Sequence, residues 1–164
     1  MINRSPMNPR FRTLGAANAL ALLGSSALLG GALAFQHLGG LAPCEMCFWQ
    51  RWPHLAAIGL GLVALLLRHH PLRRSVVILA GTAILVAAAI GLFHAGVEQQ
   101  WWQGPTACTA APAAGGDIFA DMLTAPVVRC DAIPWELFGL SLAGWNALLS
   151  ALIGGGVLWL ANRR

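Results

Sequence analysis

Four stretches of this sequence contain at most one charged residue each, and they limit the fold more than any other feature. They cover residues 14–35, about 48–67, 75–97 and 137–161. A helix needs about 20 apolar residues to cross a bilayer, and a segment in lipid must be helical because its backbone finds no water. The sequence therefore predicts an all-α polytopic membrane protein, a four-transmembrane-helix bundle that forms one domain over residues 1–164. Pro53 is expected in the first turn of its helix, where a missing amide costs little.

The composition agrees with a membrane protein. Hydrophobic residues make up 57% of the chain, charged residues only 10%, and the mean hydropathy is +0.66. A soluble domain usually contains about 25% charged residues. The net charge of +4 does not indicate a nucleic-acid partner, because the basic residues occur in short clusters at the chain ends and in one tight loop. The expected surroundings are the lipid bilayer.

The arginines predict the orientation of the bundle. Eight of the ten flank the spans on one side: Arg4, Arg10, Arg12, Arg68, Arg73, Arg74, Arg163 and Arg164. Arg51, Arg129 and all six acidic residues fall on the other side. Because arginine is enriched in cytoplasmic segments, both termini are expected in the cytoplasm of a bacterium. The loops at about 36–47 and 98–136 are then periplasmic, and the protein is a multi-pass protein of the inner membrane.

The first span has a second interpretation, a cleavable signal peptide. Arginines precede an apolar stretch that ends in Ala32-Leu33-Ala34. The stretch has 22 uncharged residues, longer than the usual signal-peptide core of about 7–15 residues. Its removal would also leave three spans, with the termini on opposite sides. We therefore expect the span to be retained.

All four cysteines are predicted in the two outer loops. Cys44 and Cys47 lie in the first loop, and Cys108 and Cys130 lie in the second. Disulfides are expected in an oxidising compartment, and four cysteines permit three pairings. A Cys108–Cys130 bond could be a structural staple worth roughly 3 kcal/mol. A bond between Cys44 and Cys47 would restrain few chain conformations, and cysteines at this spacing typically carry out exchange chemistry.

A metal or haem site is not favoured by the same cysteines. A zinc site needs converging, reduced thiolates, and Cys108 and Cys130 do not form a second short pair. An oxidising compartment also opposes it. Covalent haem attachment needs a histidine directly after the second cysteine, and Phe48 occupies that position. No metal ligands are predicted.

Two polar residues are predicted near the outer ends of their spans. Arg51 follows Cys47 by four residues, which places both on one helix face. A guanidinium and a helix N-terminus both favour a thiolate, whereas Glu45 opposes it. Alone, Arg51 would be read as an interfacial arginine that reaches the headgroups, and His94 as a packing residue. Together at one depth, they could hold the carbonyls of a lipid-soluble aromatic molecule.

Three segments carry a resemblance to the disulfide bond formation protein B (DsbB) family of quinone-coupled membrane oxidases. These segments are PCEMCFWQR, GLFHAGVE and RCDAIPWELFGLSLAGWN. The resemblance extends over essentially the whole chain, including four spans and two outer loops. The resemblance implies a part in keeping the periplasm oxidising.

The resemblance implies a role for each candidate residue. Cys44 and Cys47 match the pair that reduces ubiquinone or menaquinone, and Arg51 and His94 match positions that contact the quinone. Cys108 and Cys130 match the pair that exchanges with a periplasmic DsbA-like protein of the thioredoxin fold. Cys108 would form the mixed disulfide with this partner.

The expected function is therefore that of a thiol:quinone oxidoreductase, which sustains disulfide formation in other proteins. The alternative function is that of a four-span scaffold protein with stapled outer loops. A reductant exporter is disfavoured because it needs cysteines within the spans.

Two further features concern the outer side. The spacer Glu45-Met46 is more acidic than the apolar spacer expected for the family. The tryptophans at 49, 52, 101, 102 and 135 are expected to anchor the outer interface.

Overall fold

The computed structural model describes residues 9–105 and 128–163, and four long helices dominate them. The helices are α1 (Pro9–His37), α2 (Glu45–Leu66), α3 (Arg73–Glu98) and α4 (Leu142–Asn162). Two short antiparallel strands, β1 (Glu136–Leu137) and β2 (Leu140–Ser141), precede α4. The fold is a helical membrane bundle, which confirms the predicted fold class.

The helices form a ring in which α2 and α4 each lie between α1 and α3. Close approaches between α3 and α4 occur at glycines. A Cβ added at Gly81 would lie 2.9 Å from a Val157 methyl, and one at Gly154 would lie 2.9 Å from Leu85. Small residues at helix contacts are typical of membrane bundles, where the association depends on close packing rather than on exclusion of water.

The first helix belongs to this bundle. Ala17 and Ala21 of α1 are completely buried, in a core that also contains Val77, Ile84 and Val157. This core occupies the half of the bundle away from Cys44, and α1 forms one of its four sides. The signal-peptide interpretation would remove that side.

Three of the helices, α1 (from Arg12), α3 and α4, are long and apolar enough to cross a membrane. The remaining helix, α2, has 22 residues and is therefore about 33 Å long at 1.5 Å per residue, which suffices for a bilayer core of about 30 Å. Its polar residues Gln50 and His54 are buried against the other helices. Polar groups in membrane helices face the bundle interior in this way.

Pro53 does not lie in the first turn of α2 as predicted. The helix begins at Glu45, and Pro53 is its ninth residue, in the helix interior. The prediction was wrong: even a helix that began at Phe48 would have Pro53 as its sixth residue, past the first turn of about 3.6 residues, and the earlier start moves it further into the interior. Proline in membrane helices is tolerated where neighbouring groups satisfy the freed carbonyl.

The fourth helix begins at Leu142, five residues later than the predicted start of the span. Residues 136–141 form a hairpin whose two turn residues, Phe138 and Gly139, have positive φ angles of 53° and 76°. Positive φ at both central positions is typical of a two-residue hairpin turn. The apolar run from Leu137 is therefore uncharged but not helical at its beginning. Ser141 then caps α4 by accepting the N–H of Gly144 at 3.1 Å.

The arginines with described side chains separate between the two ends of the bundle. The end that carries Cys44, here called the thiol end, contains Arg51 and Arg129. The opposite end carries Arg12, Arg68, Arg73, Arg74 and Arg163. Arg74 donates to the carbonyl of Ala161 at 3.1 Å and caps the end of α4. The structure thus sorts the arginines as the sequence pattern does.

Candidate functional site

Cys44 lies at the start of α2, where its sulfur takes the place of a capping hydroxyl. Its backbone is extended (φ −78°, ψ 172°), and its Sγ accepts the N–H of Cys47 at 3.2 Å. Serine and threonine oxygens usually fill this role. The CxxC pair therefore occupies the first turn of a helix, as the sequence predicted, where backbone N–H groups and the helix dipole favour negative charge.

Cys44 and Cys47 are free thiols, and their sulfur atoms lie 2.8 Å apart. Cys44 is only 4% exposed, and Cys47 is half-buried. The pKa of the Cys44 thiol is raised, chiefly by its hydrogen bond with Cys47 and also by burial. The two sulfurs are close enough to exchange a shared proton and to close into a disulfide with little movement.

Cys130 approaches this pair from the segment before α4. It is disulfide-bonded and completely buried. Its Sγ, the Sγ of Cys44 and a ring nitrogen of His94 all lie within 4.8 Å of one another. Cys44, Met46, Val97 and Cys130 form one buried apolar cluster. The structure thus brings together cysteines from the two predicted outer loops.

Cys108, the fourth predicted cysteine, lies outside the described residues. Cys44, His94 and Cys130 are the group of potential metal ligands found in the described part of the chain. The sulfur of Cys130 is held in a disulfide there, so it is not a thiolate ligand in this state. The arrangement suits thiol–disulfide exchange.

His94 connects the thiols to the interior of the bundle. It is 3% exposed, and its Nε2 lies 3.5 Å from the sulfur of Cys44. Its Nδ1 lies 2.8 Å from Nε2 of Gln50. The Oε1 of Glu98, one helical turn further along α3, is 3.9 Å from Nε2 of His94. His94 is therefore placed against Cys44.

Arg51 lies beside the thiols and is held by α1 and by its own helix. Its NH1 donates to Oε1 of Gln36 at 2.6 Å, and its guanidinium lies 4.9 Å from the centre of the Phe48 ring. Its Nε is buried and has no hydrogen-bond partner among the described residues. Such a donor is costly unless something binds it. Arg51 thus offers an N–H that a ligand could satisfy.

A cavity of about 430 Å³ opens at this point. Its walls include Cys44, Cys47, Arg51, His94 and Glu98, and apolar residues of α1 between Ala27 and Phe35 form another side. This volume lies within the range of about 300–1,000 Å³ that is usual for small-molecule sites. A mostly apolar cavity with a few polar groups at one end fits a hydrophobic molecule with a polar head.

The sequence did not single out several residues that the structure places in this site. They are Gln36, Gln50, Glu98, Ser141 and Asn146. Glu98 was assigned to the outer loop, but it ends α3, is only 7% exposed and accepts a hydrogen bond from Ser141. An acidic residue one turn after His94 is a signal that could have been used, because residues at i and i+4 share a helix face.

Glu45, whose effect on the thiols the sequence left open, is exposed, while its neighbour Met46 is completely buried. A carboxylate in the first turn complements the helix dipole. The carboxylate that acts electrostatically on Cys47 is Glu98, and Arg51 acts in the opposite direction. The carboxylate of Glu45 therefore lies outside the site.

The five tryptophans do not share one role. Trp52 and Trp101 are 69% and 68% exposed, as an interfacial anchor would be. Trp102 packs parallel to Phe93. Trp135 lines the cavity and contacts Phe35, with ring centres 5.0 Å apart. At least one of the five thus belongs to the candidate site.

The fold and the site define a class: a multi-pass helical membrane protein with a free thiol pair beside a disulfide, next to an apolar cavity. Comparison with known proteins places the chain within this class. It belongs to the DsbB family, because the family model for disulfide bond formation protein DsbB matches residues 14–160.

Individual relatives agree with this assignment. Disulfide bond formation protein B of Marinobacter nauticus is 30% identical over 145 residues, covering 82% of this chain and 83% of the relative. The protein of the same name from Polaromonas naphthalenivorans is 32% identical over 150 residues, covering 83% and 84%. That of Aromatoleum aromaticum is 34% identical over 137 residues, covering 77% and 79%. No solved structure matches the chain significantly.

Proposed function

We propose that this protein is a thiol:quinone oxidoreductase of the bacterial inner membrane. It reoxidises a periplasmic DsbA-like protein of the thioredoxin fold and passes the electrons to ubiquinone or menaquinone. One observation carries the proposal: the free thiols of Cys44 and Cys47 form the wall of a mostly apolar cavity, and the disulfide sulfur of Cys130 lies within 4.8 Å of Cys44.

Electrons enter at the disulfide of Cys130. We infer from the family resemblance that its partner cysteine, Cys108, accepts the attack of the reduced thioredoxin-fold protein, which forms a mixed disulfide and frees Cys130 as a thiolate. The second thiolate of that protein then closes its own disulfide and releases Cys108. The proximity of Cys130 to Cys44 supports the next transfer.

In that transfer, the thiolate of Cys130 attacks the sulfur of Cys44 in a Cys44–Cys47 disulfide. A Cys44–Cys130 bond forms, and Cys47 leaves as a thiolate. Attack by Cys108 on Cys130 then restores the Cys108–Cys130 disulfide and releases Cys44. The net result is a Cys44/Cys47 dithiol, the state that the structure describes for this pair.

A bound quinone would take up two electrons and two protons from this dithiol and become a quinol. The residues present fit such a molecule, since the cavity is largely apolar and the buried Nε of Arg51 lacks a partner in the described part of the chain. Arg51 would donate to a carbonyl oxygen and stabilise negative charge there. His94 would hold the sulfur of Cys44 at the cavity wall.

The scaffold alternative is less well supported. A bond between Cys44 and Cys47 would restrain few chain conformations and so would be a poor staple. The pair instead lines a mostly apolar cavity together with Arg51 and His94. The two functions differ in whether the purified protein reduces quinone.

The deciding experiment measures quinone reduction by the purified protein with either a reduced thioredoxin-fold partner or dithiothreitol as the electron donor. We expect Cys44→Ser and Cys47→Ser to abolish turnover with both donors. Cys108→Ser and Cys130→Ser should each abolish turnover with the protein donor, and a donor that lacks its second cysteine should accumulate a mixed disulfide with Cys108 of the parent, because nothing then resolves it. If the Cys44 and Cys47 variants reduced quinone as fast as the parent, the proposal would be wrong.

A further inference from the structure

A line of polar side chains crosses the bundle and ends at Cys44; Asn146 is half-buried and the others are buried. His54 Nε2 lies 3.1 Å from Oδ1 of Asn146, and Nδ2 of Asn146 donates to Oε1 of Gln50 at 2.8 Å. Gln50 Nε2 lies 2.8 Å from Nδ1 of His94, and Nε2 of His94 lies 3.5 Å from the sulfur of Cys44. The first three contacts each join two helices, and the last joins α3 to Cys44, the residue that caps α2.

The orientation of the Gln50 amide determines which nitrogen of His94 carries the hydrogen. Nε2 of Gln50 also lies 3.2 Å from the backbone carbonyl of Met46, which can only accept. That end of the amide is therefore the NH₂ group, and it donates to Nδ1 of His94. A neutral imidazole that accepts at Nδ1 carries its hydrogen on Nε2. This N–H faces the sulfur of Cys44.

Asn146 fixes the other end of the Gln50 amide. Its NH₂ group donates to Oε1 of Gln50, and its own oxygen faces two donors, His54 and the hydroxyl of Ser150 at 3.3 Å. Gln50 is 6% exposed, and Ser150 is completely buried. Rotation of the Gln50 amide would set its NH₂ group against that of Asn146 and its oxygen against the carbonyl of Met46, which costs the energy of the lost bonds.

We propose that Gln50 and Asn146 are positioning residues that hold His94 as the neutral Nε2–H tautomer, so that it donates to the sulfur of Cys44. This inference rests on the proposed exchange function of Cys44. The N–H of His94 then has two acceptors in reach, the sulfur of Cys44 and the backbone of Cys130, and the sulfur also receives the backbone N–H of Cys47. Donors directed at a sulfur favour its thiolate form, and here they act against the hydrogen bond with Cys47 and the burial that raise the pKa of Cys44. The thiolate is the form in which Cys44 leaves Cys130.

The charged and titratable groups around Cys44 and His94 make this positioning necessary. They are Cys47 and Arg51 on α2, Glu98 on α3 and Cys130 before α4. Glu98, 3.9 Å from Nε2 of His94, would favour a doubly protonated ring. The donor of Gln50 opposes this, because an imidazolium has no lone pair left at Nδ1. Gln50 thus keeps His94 neutral next to a carboxyl group.

The line of side chains orients groups and does not conduct protons. Two of its members, Gln50 and Asn146, are amides, which donate hydrogen bonds but do not release protons at ordinary pH. The line of side chains therefore supplies no proton path to the cavity. The polar side chains on α2 and α4 serve to direct the Nε2–H of His94 toward the sulfur of Cys44.

Nitrogen NMR of protein labelled with ¹⁵N-histidine tests the tautomer, with His94→Gln assigning the signals. We expect Nδ1 of His94 at the position of an unprotonated nitrogen and Nε2 at that of a protonated one. Gln50→Leu should remove this preference. Asn18→Leu is the matched control, because Asn18 is a completely buried amide that donates to Gly61 and lies outside the line. A protonated Nδ1 in the parent, or an unchanged tautomer in Gln50→Leu, would overturn the proposal.

The reactivity of Cys44 gives a second test that needs neither quinone nor partner. In a background with the other three cysteines replaced by serine, the rate of alkylation is followed against pH. Gln50→Leu and Asn146→Leu should shift the midpoint upward by about one pH unit, the size expected for one lost hydrogen bond to a charged group. Profiles identical to that of the parent would contradict the positioning role. Because quinone reduction is measured separately, failure of this inference is distinguishable from failure of the proposed function.

Discussion

At the scale of single residues, Arg51 shows how one side chain can be both structural and reactive. One guanidinium nitrogen donates to Gln36 on α1, and the planar face lies over Phe48. These contacts leave the buried Nε without a partner among the described residues. An arginine that only reached for headgroups would not need a fixed position inside the bundle. The contacts support a role in binding a ligand.

We predict that Arg51→Ala raises the KM for quinone by about tenfold or more, because hydrogen bonds to charged groups contribute about 1.5–3 kcal/mol. Arg51→Lys should give an intermediate value, since an ammonium lacks the fork of donors. Steady-state quinone reduction measures the effect. Arg163→Ala, at the exposed opposite end of the bundle, is the control. An unchanged KM in Arg51→Ala would mean that Arg51 does not bind the quinone and is only an interfacial arginine.

The two acidic residues near the thiols illustrate why distance along the chain is a poor guide to proximity. Glu45 lies between the two cysteines but is exposed. Glu98 is more than 50 residues away, yet it is buried at the cavity with Ser141 as its donor. Proximity was decided by the packing of α3 against α2 and α4. No pattern within PCEMC contains that information.

At the scale of elements, the contact between α3 and α4 determines whether the polar line can form. Gly91 of α3 faces the backbone of α4 at Ala143 and Ala147 and the oxygen of Gln50. A Cβ at this position would lie 3.1 Å from each of them. Two helices can therefore approach here only because one residue has no side chain.

We predict that Gly91→Ala separates α3 from α4 or displaces the Gln50 amide, and that it lowers the rate of quinone reduction. Gly155→Ala is the matched control, because a Cβ at Gly155 meets nothing within 4 Å. The control should be as active as the parent, since alanine favours a helix over glycine by about 1 kcal/mol. Equal activity of the two variants would show that the close approach at Gly91 is not required.

The hairpin before α4 is a second element with a functional consequence. It delays the start of the helix to Leu142 and places Ser141 at its cap. Ser141 then donates to Glu98 while it accepts the N–H of Gly144. The end of α3 and the start of α4 are thereby joined beside the cavity. A helix that began at Leu137 would place a helical turn where this junction lies.

At the scale of the whole molecule, the distribution of charge between the two ends of the bundle implies a direction across the membrane. Most arginines with described side chains lie at the end opposite the thiols. If this end faces the cytoplasm, the thiols face the periplasm, where disulfides persist. The proposed function depends on this orientation.

We predict that a fluorescent protein that matures only in the cytoplasm will fluoresce when it is fused after Arg164. A secreted phosphatase fused at the same point should be inactive, and the phosphatase inserted after Gly104 should be active. The intact mass of the purified protein will show whether the first span is retained. Phosphatase activity at the C-terminus would place the thiols in the cytoplasm and contradict the proposed electron path.

The sequence alone determined the four long helices, their order and the end of the bundle at which Cys44, Cys47 and Cys130 meet. These follow from local physics: apolar runs of spanning length must be helical in lipid, and arginine clusters mark one side. The sequence also pointed to four site residues. Cys44 and Cys47 form a CxxC pair at the start of a helix, and Arg51 and His94 are polar residues within apolar segments, where such residues are rare.

Only the tertiary structure decided which of these groups touch. The decisive contacts join residues on different helices, or a residue on one helix and the cap of another. They are those of Gln50 with His94 and Asn146, of Glu98 with Ser141 and of Arg51 with Gln36. The rotation of each helix about its axis sets these contacts, and that rotation depends on small residues such as Gly91 that permit close packing. A buried polar group must find its partner wherever the packing places one, so its partner could not be read from its own segment.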